Sequence, residues 1–250
     1  MPITFSKSVR GAGHVSAGKE CQDYSLTLAL TDSDLDISIA VVSDGHGGER
    51  YSRSAEGAMA ACLVAANTLM DFAHTSMIFE TKKIDRMVRQ RIANSILAGW
   101  AGWVGHGNND IHKFGCTLVA YLQTPWYWLA LQIGDGRLAM LKSSGKWIQP
   151  IPWDDRCILN FTTSMCDENA NQEFRFAVGN CRPRAVFIGS DGIDGTFGTG
   201  VKLYNFYSHI LKSIREEGLE IVTDELPEVL SHYSEIGSKD DMSVAAIINI

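Results

Sequence analysis

The chain has 250 residues, 45% of them hydrophobic, and a formal net charge of -7; this is enough apolar material for one sizeable core, and a single domain over 1–250 is expected. The acidic balance lacks the concentrated basic footprint of a nucleic-acid surface, so no nucleic-acid partner is expected and the excess suggests a local cation site instead. MPITFSKSVRG has no apolar signal core, and no run approaches the about 18 apolar residues of a membrane span, so a cytoplasmic protein without a membrane partner is expected.

In chain order, YSLTLAL (24–30) and DISIAVVS (36–43) are short β-rich runs joined by an acidic turn at 31–35 and read as a hairpin. After Gly47 and Gly48, the residues Ala55, Met59, Cys62, Ala66 and Leu69 recur at helical steps. A second amphipathic helix carries Ile84, Val88, Ile92, Ile96, Trp100 and Trp103 on its apolar face, with KKIDRMVRQR supplying the solvated side. CTLVAYL (116–122), WYWLALQIG (126–134) and RLAMLKS (137–143) read as a meander broken by Gln-Thr-Pro and Gly-Asp-Gly. Periodicity is poor from 147 to 184 around one strand, EFRFAV, and the segment reads as a mobile flap. A strand (185–190), helices near 201–216 and 224–236, and the strand MSVAAIINI follow. Helices in pairs, each after a group of strands, argue against parallel βαβ units. They predict an α+β fold: a four-layer αββα sandwich of two mainly antiparallel sheets flanked by helix pairs. Six scattered cysteines without a C-x-x-C pair read as reduced thiols, mostly core fillers.

Acids stand at strand ends or tight turns in five places: Gln22-Asp23, Asp44 in VVSDGHGG, Asp135 in IGDGR, Asp191 in GSDG, and Asp240-Asp241 in SKDDMSV. One Asp beside Gly is ordinarily a turn residue bonded to its own backbone. As a set, these acids are expected to project from one end of the sandwich, where their charges repel unless cations lie among them. Oxygen donors with few His or Cys favour magnesium or manganese over zinc.

GKECQDYS, VVSDGHGGERYS, FGCTLVAYL, IGDGRLAML, FIGSDGIDG and SKDDMSVAAI follow one another over nearly the whole chain. In this order they resemble the type 2C metal-dependent protein serine/threonine phosphatases (the PPM family), in a compact bacterial form. The resemblance implies hydrolysis of phosphoserine and phosphothreonine in proteins by in-line attack of a water bridging two Mn2+ or Mg2+ ions, with a weaker third ion. It implies that Asp44 bridges the two ions, that the Gly45 carbonyl ligates one, and that Asp191 and Asp240 complete the other. Asp23, beside Gln22, would hold metal-bound waters, and Asp135 with Asp191 would take the third ion. His46 would protonate the leaving alkoxide. Phosphorylated proteins are the implied partners, with a cognate Ser/Thr kinase by analogy.

The departures from the family pattern matter as much. Where many members carry a phosphate-gripping arginine, this chain has Gly18; Lys19 is next to it and can offer a point charge, with Arg10 and Arg53 as alternatives. The third-ion acid is replaced by Gly195, with Asp194 one position early, and Asp241 stands where Asn is common. His14 reads either as a turn-packing residue or as a site contact. Two rival readings follow: a catalytically weak pseudophosphatase or regulatory binding module of the same fold, and a metal hydrolase of small phosphoesters.

Overall fold

Ile3–Val9, assigned to no element from the sequence, forms β1, whose register partner is the last strand of the chain. The computed structural model describes residues 2–32, 35–76, 78–107, 110–157 and 161–249. A short helix α1 (Ala12–Ser16) leads into the antiparallel hairpin of β2 (Tyr24–Asp32) and β3 (Leu35–Ser43). Positions 33 and 34 of its expected acidic turn lie outside the described residues. Helices α2 (Ser54–Thr75) and α3 (Arg86–Val104) follow, then β4 (Leu118–Gln123), β5 (Trp128–Ile133), β6 (Arg137–Leu141), β7 (Trp147–Ile148), α4 (Ala170–Glu173), β8 (Arg175–Gly179) and β9 (Ala185–Gly189). The chain closes with α5 (Asp191–Phe197), α6 (Val201–Glu217), α7 (Leu219–Ile236) and β10 (Met242–Ile248). No described helix is long and apolar enough to cross a membrane.

One sheet runs β2-β3-β4-β5-β8 and the other β1-β10-β9-β6-β7, with every pairing antiparallel. The period of two along β3 shows how the layers form. Ile37, Ile39 and Val41 face α2 and α3, whereas Ala40 and Val42 face the opposite sheet. The final strand does the same on its side: Val244, Ala246 and Ile248 pack under α5, α6 and α7, and Ala245 and Ile247 meet β3 and β4 across the middle. Each fully buried branched side chain stabilises the fold by about 1.5–3 kcal/mol relative to exposure. The result is the expected αββα sandwich.

Three local readings change. The 116–143 meander is not one sheet: β4 and β5 pair in the first sheet, whereas β6 pairs with β9 and β7 in the second. Gly134-Asp135-Gly136 is therefore the crossing between sheets, and Gly134 takes a φ of 94° that other residues rarely adopt. On α2 the buried face is made of Ala58, Ala61, Cys62, Ala65, Ala66 and Leu69 rather than the wider Ala55–Met59 flank, because small side chains let the helix lie close on the sheet. On α3, Trp100 is buried and its indole N–H donates to the Gly57 carbonyl at 3.1 Å, whereas Trp103 is 49% exposed and Ala93 and Val104 take the core instead.

The 147–184 segment, expected as a flap, has several anchors in its described part; residues 158–160 lie outside it. Strand β8 pairs with β5, Met165 N–H donates to the Cys116 carbonyl at 2.9 Å, and Thr163 Oγ1 accepts from Gly134 N–H at 2.9 Å. Asp154, 6% exposed, accepts three bonds from Arg156, one from its backbone N–H and two from its guanidinium, which also reaches Glu173. Native-state hydrogen exchange is expected to be slow at Met165 and along the β5–β8 pairing, in the class of the core strands. Fast exchange throughout 163–179 would restore the free flap.

Candidate active site

Antiparallel register explains why distant acids meet. Tyr24 stands opposite Ser43, so Asp23, just before β2, lies beside Asp44, just after β3. In the other sheet, Val244 stands opposite Gly189, and Ser190 and Ser243 exchange bonds, with Ser190 N–H donating to the Ser243 carbonyl at 3.1 Å and Ser243 N–H to Ser190 Oγ at 3.0 Å. Asp191, the first residue of α5, is thereby set near Asp240 and Asp241 at the start of β10. Asp135 arrives on the crossing loop between the sheets.

The turn after β3 is held from three sides. Asp44 N–H donates to Thr117 Oγ1 at 3.1 Å, and its carbonyl accepts from Thr117 N–H at 2.8 Å. Gly45 N–H donates to the Gln22 carbonyl and His46 N–H to the Gly115 carbonyl, both at 3.0 Å. A Cβ at position 45 would come within 2.6 Å of the Gln22 carbonyl oxygen, so only glycine fits there. Of the two following glycines, Gly48 alone needs its freedom, at φ 102°, before the short 3-10 turn Glu49–Tyr51.

Asp44, Gly45, His46, Asp135, Asp191 and Asp240 line one cavity of about 560 Å3. Asp23 is buried behind it, 7% exposed, while its neighbour Gln22 reaches the wall. A larger, mainly apolar groove of about 920 Å3 lies between α6 and α7 and shares no residue with the acidic cavity.

Electrostatically the acids of the cavity oppose one another. Burial pushes Asp44 and Asp23 well above the usual carboxylate range, and their acidic neighbours add to it. Asp191 is raised to about 7 by burial, with Asp135 and Asp240 adding to the rise and a bond to Asp44 opposing it. Asp135 is raised by burial too. His46 shows the reverse: burial lowers it to about 4, opposed by Asp167 across the cavity. Its ring stands edge-on to Tyr51, with centroids 5.0 Å apart, and Nε2 is buried without a partner.

The remaining expectations sort as follows. His14 does both things considered for it: Nδ1 lies 2.9 Å from Asp241 Oδ2, and the residue also lines the cavity. Asp241, 2% exposed, further accepts from Gly11 N–H and Gln22 N–H, both at 2.6 Å, and so ties α1 and the start of β2 to the Asp240 turn. Lys19 does not line the cavity; it follows Gly18, at φ 65°, onto the surface, and its carbonyl accepts from Arg10 at 3.3 Å. Arg53 is committed to Glu56. Asp194 accepts from Arg137 Nε at 2.9 Å, and Gly195 offers no carboxylate, so the expected third-ion set is reduced to Asp135 and Asp191. Arg50, Thr117, Tyr51 and Asp167 also reach the cavity. Arg50 and Tyr51 belong to VVSDGHGGERYS and Thr117 to FGCTLVAYL, whereas nothing local in the sequence points to Asp167.

These residues suit hard divalent cations. Asp23 Oδ2 and Asp191 Oδ1 are buried acceptors without partners, and no described donor meets the Gly45 carbonyl. Among the described residues, no three Asp, Glu, His or Cys side chains already close around one point. Magnesium commonly retains several waters, so it does not require a closed set of protein ligands.

The sequence profile of the protein phosphatase 2C family matches residues 10–231. No curated protein matches the chain. Among solved structures, the fold is similar to the serine/threonine phosphatase of S. agalactiae (17% identity, TM-score 0.67, covering 100% of both chains). It is similar to Stp1 from Staphylococcus aureus (15%, 0.64, covering 100% of this chain and 96% of that one). A third likeness is to the catalytic domain of PstP in complex with two manganese ions (15%, 0.58, covering 99% of each). With its profile match spanning most of its length, the chain belongs to the protein phosphatase 2C family.

Proposed function

We propose that the protein hydrolyses phosphoserine and phosphothreonine in proteins, as a single metal-dependent phosphatase domain over 1–250 acting on phosphorylated protein substrates. The observation that carries the reading is the meeting of Asp44, Asp135, Asp191, Asp240 and the unpartnered Gly45 carbonyl in one cavity, with Asp23 behind it. Asp44 would lie between two Mn2+ or Mg2+ ions, with Gly45 on one and Asp191 and Asp240 on the other. Asp23 and Gln22 would orient water around them, and Asp135 with Asp191 could take a weaker third ion. Bound there, two divalent cations supply a water of lowered pKa and offset charge on the phosphate oxygens during in-line displacement. His46, on the cavity wall with Nε2 buried and unpartnered, would as the imidazolium give its proton to the leaving alkoxide, and the burial that lowers it to about 4 makes it a stronger acid for that step. A Ser/Thr kinase that opposes the enzyme fits this reading.

The direct test is turnover of p-nitrophenyl phosphate and of a phosphothreonine peptide with added manganese, magnesium or chelator. Asp191→Asn or Asp240→Asn is expected to abolish activity and leave the fold intact. Near wild-type turnover of either variant at saturating manganese would refute the metal assignment. A wild type inert on both substrates, yet binding phosphopeptide, would favour the pseudophosphatase, and turnover of the small ester alone would favour a small-phosphoester hydrolase.

Stability should report the same cluster. The raised carboxyls keep protons in the folded protein that the unfolded chain has already lost, so the folded state binds more protons and metal-free stability falls as pH rises toward about 7. In chelator, the melting temperature is expected to increase on acidification from about pH 7.5 to about pH 5.5. In manganese the trend should weaken or reverse, because protons and cations compete for the same oxygens. A metal-free melting temperature that falls on acidification would contradict the crowded-acid picture.

The role of His46 separates on leaving groups. A serine or threonine alkoxide needs protonation as the P–O bond breaks, whereas p-nitrophenolate hardly does. His46→Ala should slow the phosphothreonine peptide more than p-nitrophenyl phosphate, by a factor within the ~10²–10⁴ typical of a positioned acid. Equal losses on both substrates, with more metal needed for half-maximal rate, would make His46 a turn residue.

A further inference from the structure

The acidic cavity leaves open what grips the phosphate, since the chain has Gly18 at the arginine position and Lys19 lies outside the cavity wall. We infer that Arg50 is the phosphate-binding residue, entering from the turn between β3 and α2; the inference rests on the phosphatase reading above and assigns its substrate grip.

Of the described Lys and Arg side chains, Arg50 alone lines the cavity that holds Asp44, Asp191 and Asp240. Arg10 is bonded to the Lys19 carbonyl, Arg53 is paired with Glu56 and covers the Phe114 ring, and Arg137 is held by Asp194 and Trp153. Each of these guanidinium groups is committed elsewhere. Arg50 makes no hydrogen bond or ion pair with any described residue; its guanidinium carbon lies 5.6 Å from the centroid of the Tyr51 ring, and its charge reaches the Cys166 thiol. That ring packs edge-on against His46. Arg50 is thus placed on the wall that also carries His46, with its donors uncommitted.

The backbone beneath it is fixed. Tyr51 N–H donates to the Gly48 carbonyl at 3.1 Å, and Arg53 N–H donates to the Lys113 carbonyl at 2.9 Å, so the turn is fastened on both sides of residue 50. A guanidinium presents a planar fork that matches two phosphate oxygens and never loses its charge. A phosphate whose other oxygens face divalent cations gains from a second positive charge on its open side. His14, on the same cavity wall, is held by Asp241 through Nδ1 and does not present such a fork.

The test uses the full chain loaded with manganese and measures inorganic phosphate binding by calorimetry beside steady-state kinetics on p-nitrophenyl phosphate. Arg50→Ala is expected to weaken phosphate binding by about tenfold or more, as loss of charge-assisted bonds implies. KM should rise in parallel and exceed the fall in kcat. Arg50→Lys should recover part of the loss, restoring charge but not the fork. Manganese affinity should stay at the wild-type value in both variants. Unchanged phosphate affinity in Arg50→Ala would overturn the inference, as would a loss in Lys19→Ala that Arg50→Ala does not share. A lowered melting temperature with weakened manganese binding in Arg50→Ala, unrelieved by Arg50→Lys, would make the residue structural and overturn it too. The two readings fail separately: a wild type that binds phosphate through Arg50 but turns over no ester would sink the phosphatase reading and leave this one standing.

Discussion

The structure depends on holding several carboxylates at one place against their own repulsion. At about 4 Å, two such charges in an environment of effective dielectric about 20 repel by about 4 kcal/mol, and this cavity collects Asp44, Asp135, Asp191 and Asp240, with Asp23 behind. No single loop could hold them; a flexible one would relax outward. Each acid is instead fixed to the end of a strand whose register is set by buried alternation, and a slip of one residue would turn Ile37, Ile39 and Val41 away from the helices. The hydrophobic layers therefore fix the spacing of the charges.

The same demand explains the close backbone contacts around the cavity. Gly45 lies against the Gln22 carbonyl and Ser54, and Gly11 and Gly192 lie against the backbone at Asp240 and Asp241. Lys239, just before Asp240, adopts φ 65°, the one positive value outside glycine among the described residues. That conformation costs about 1–2 kcal/mol. The Lys239 carbonyl accepts from Gly13 N–H at 2.8 Å, which fastens the strained turn to α1. Strain concentrated beside a cavity residue such as Asp240 is what functional turns commonly show.

Much of this was legible in the sequence, for identifiable reasons. Strands β3, β4, β9 and β10 are continuous apolar runs, and the acids at their ends are short motifs with glycine beside them, so fold and cluster could be read together. Strand β1 was not: ITFSKSV alternates apolar and polar residues, but Lys7 interrupts the apolar face and the partner strand β10 is more than two hundred residues away. The sheet crossing at Asp135 was hidden for a related reason: three consecutive β-runs look like a meander, and nothing local tells that β6 pairs with β9. Asp241 read as a departure from a pattern. Its work, accepting from Gly11, Gln22 and His14, depends on contacts from the other end of the chain.

On the phosphatase reading proposed above, cations and phosphate make different demands on the backbone of this cavity. A metal ligand tolerates displacements of only a fraction of an ångström, a demand that Asp44, Asp191 and Asp240, on short side chains beside strand ends, would meet. A phosphate grip needs a charge within reach, and arginine reaches it on a long side chain from any nearby turn. Moving that charge from the loop before β2 to the turn before α2 leaves every strand register untouched. The loss of an arginine at Gly18 is therefore a weaker argument against catalysis than loss of a strand-end acid would be, since the fold can supply the charge from Arg50 without moving a ligand.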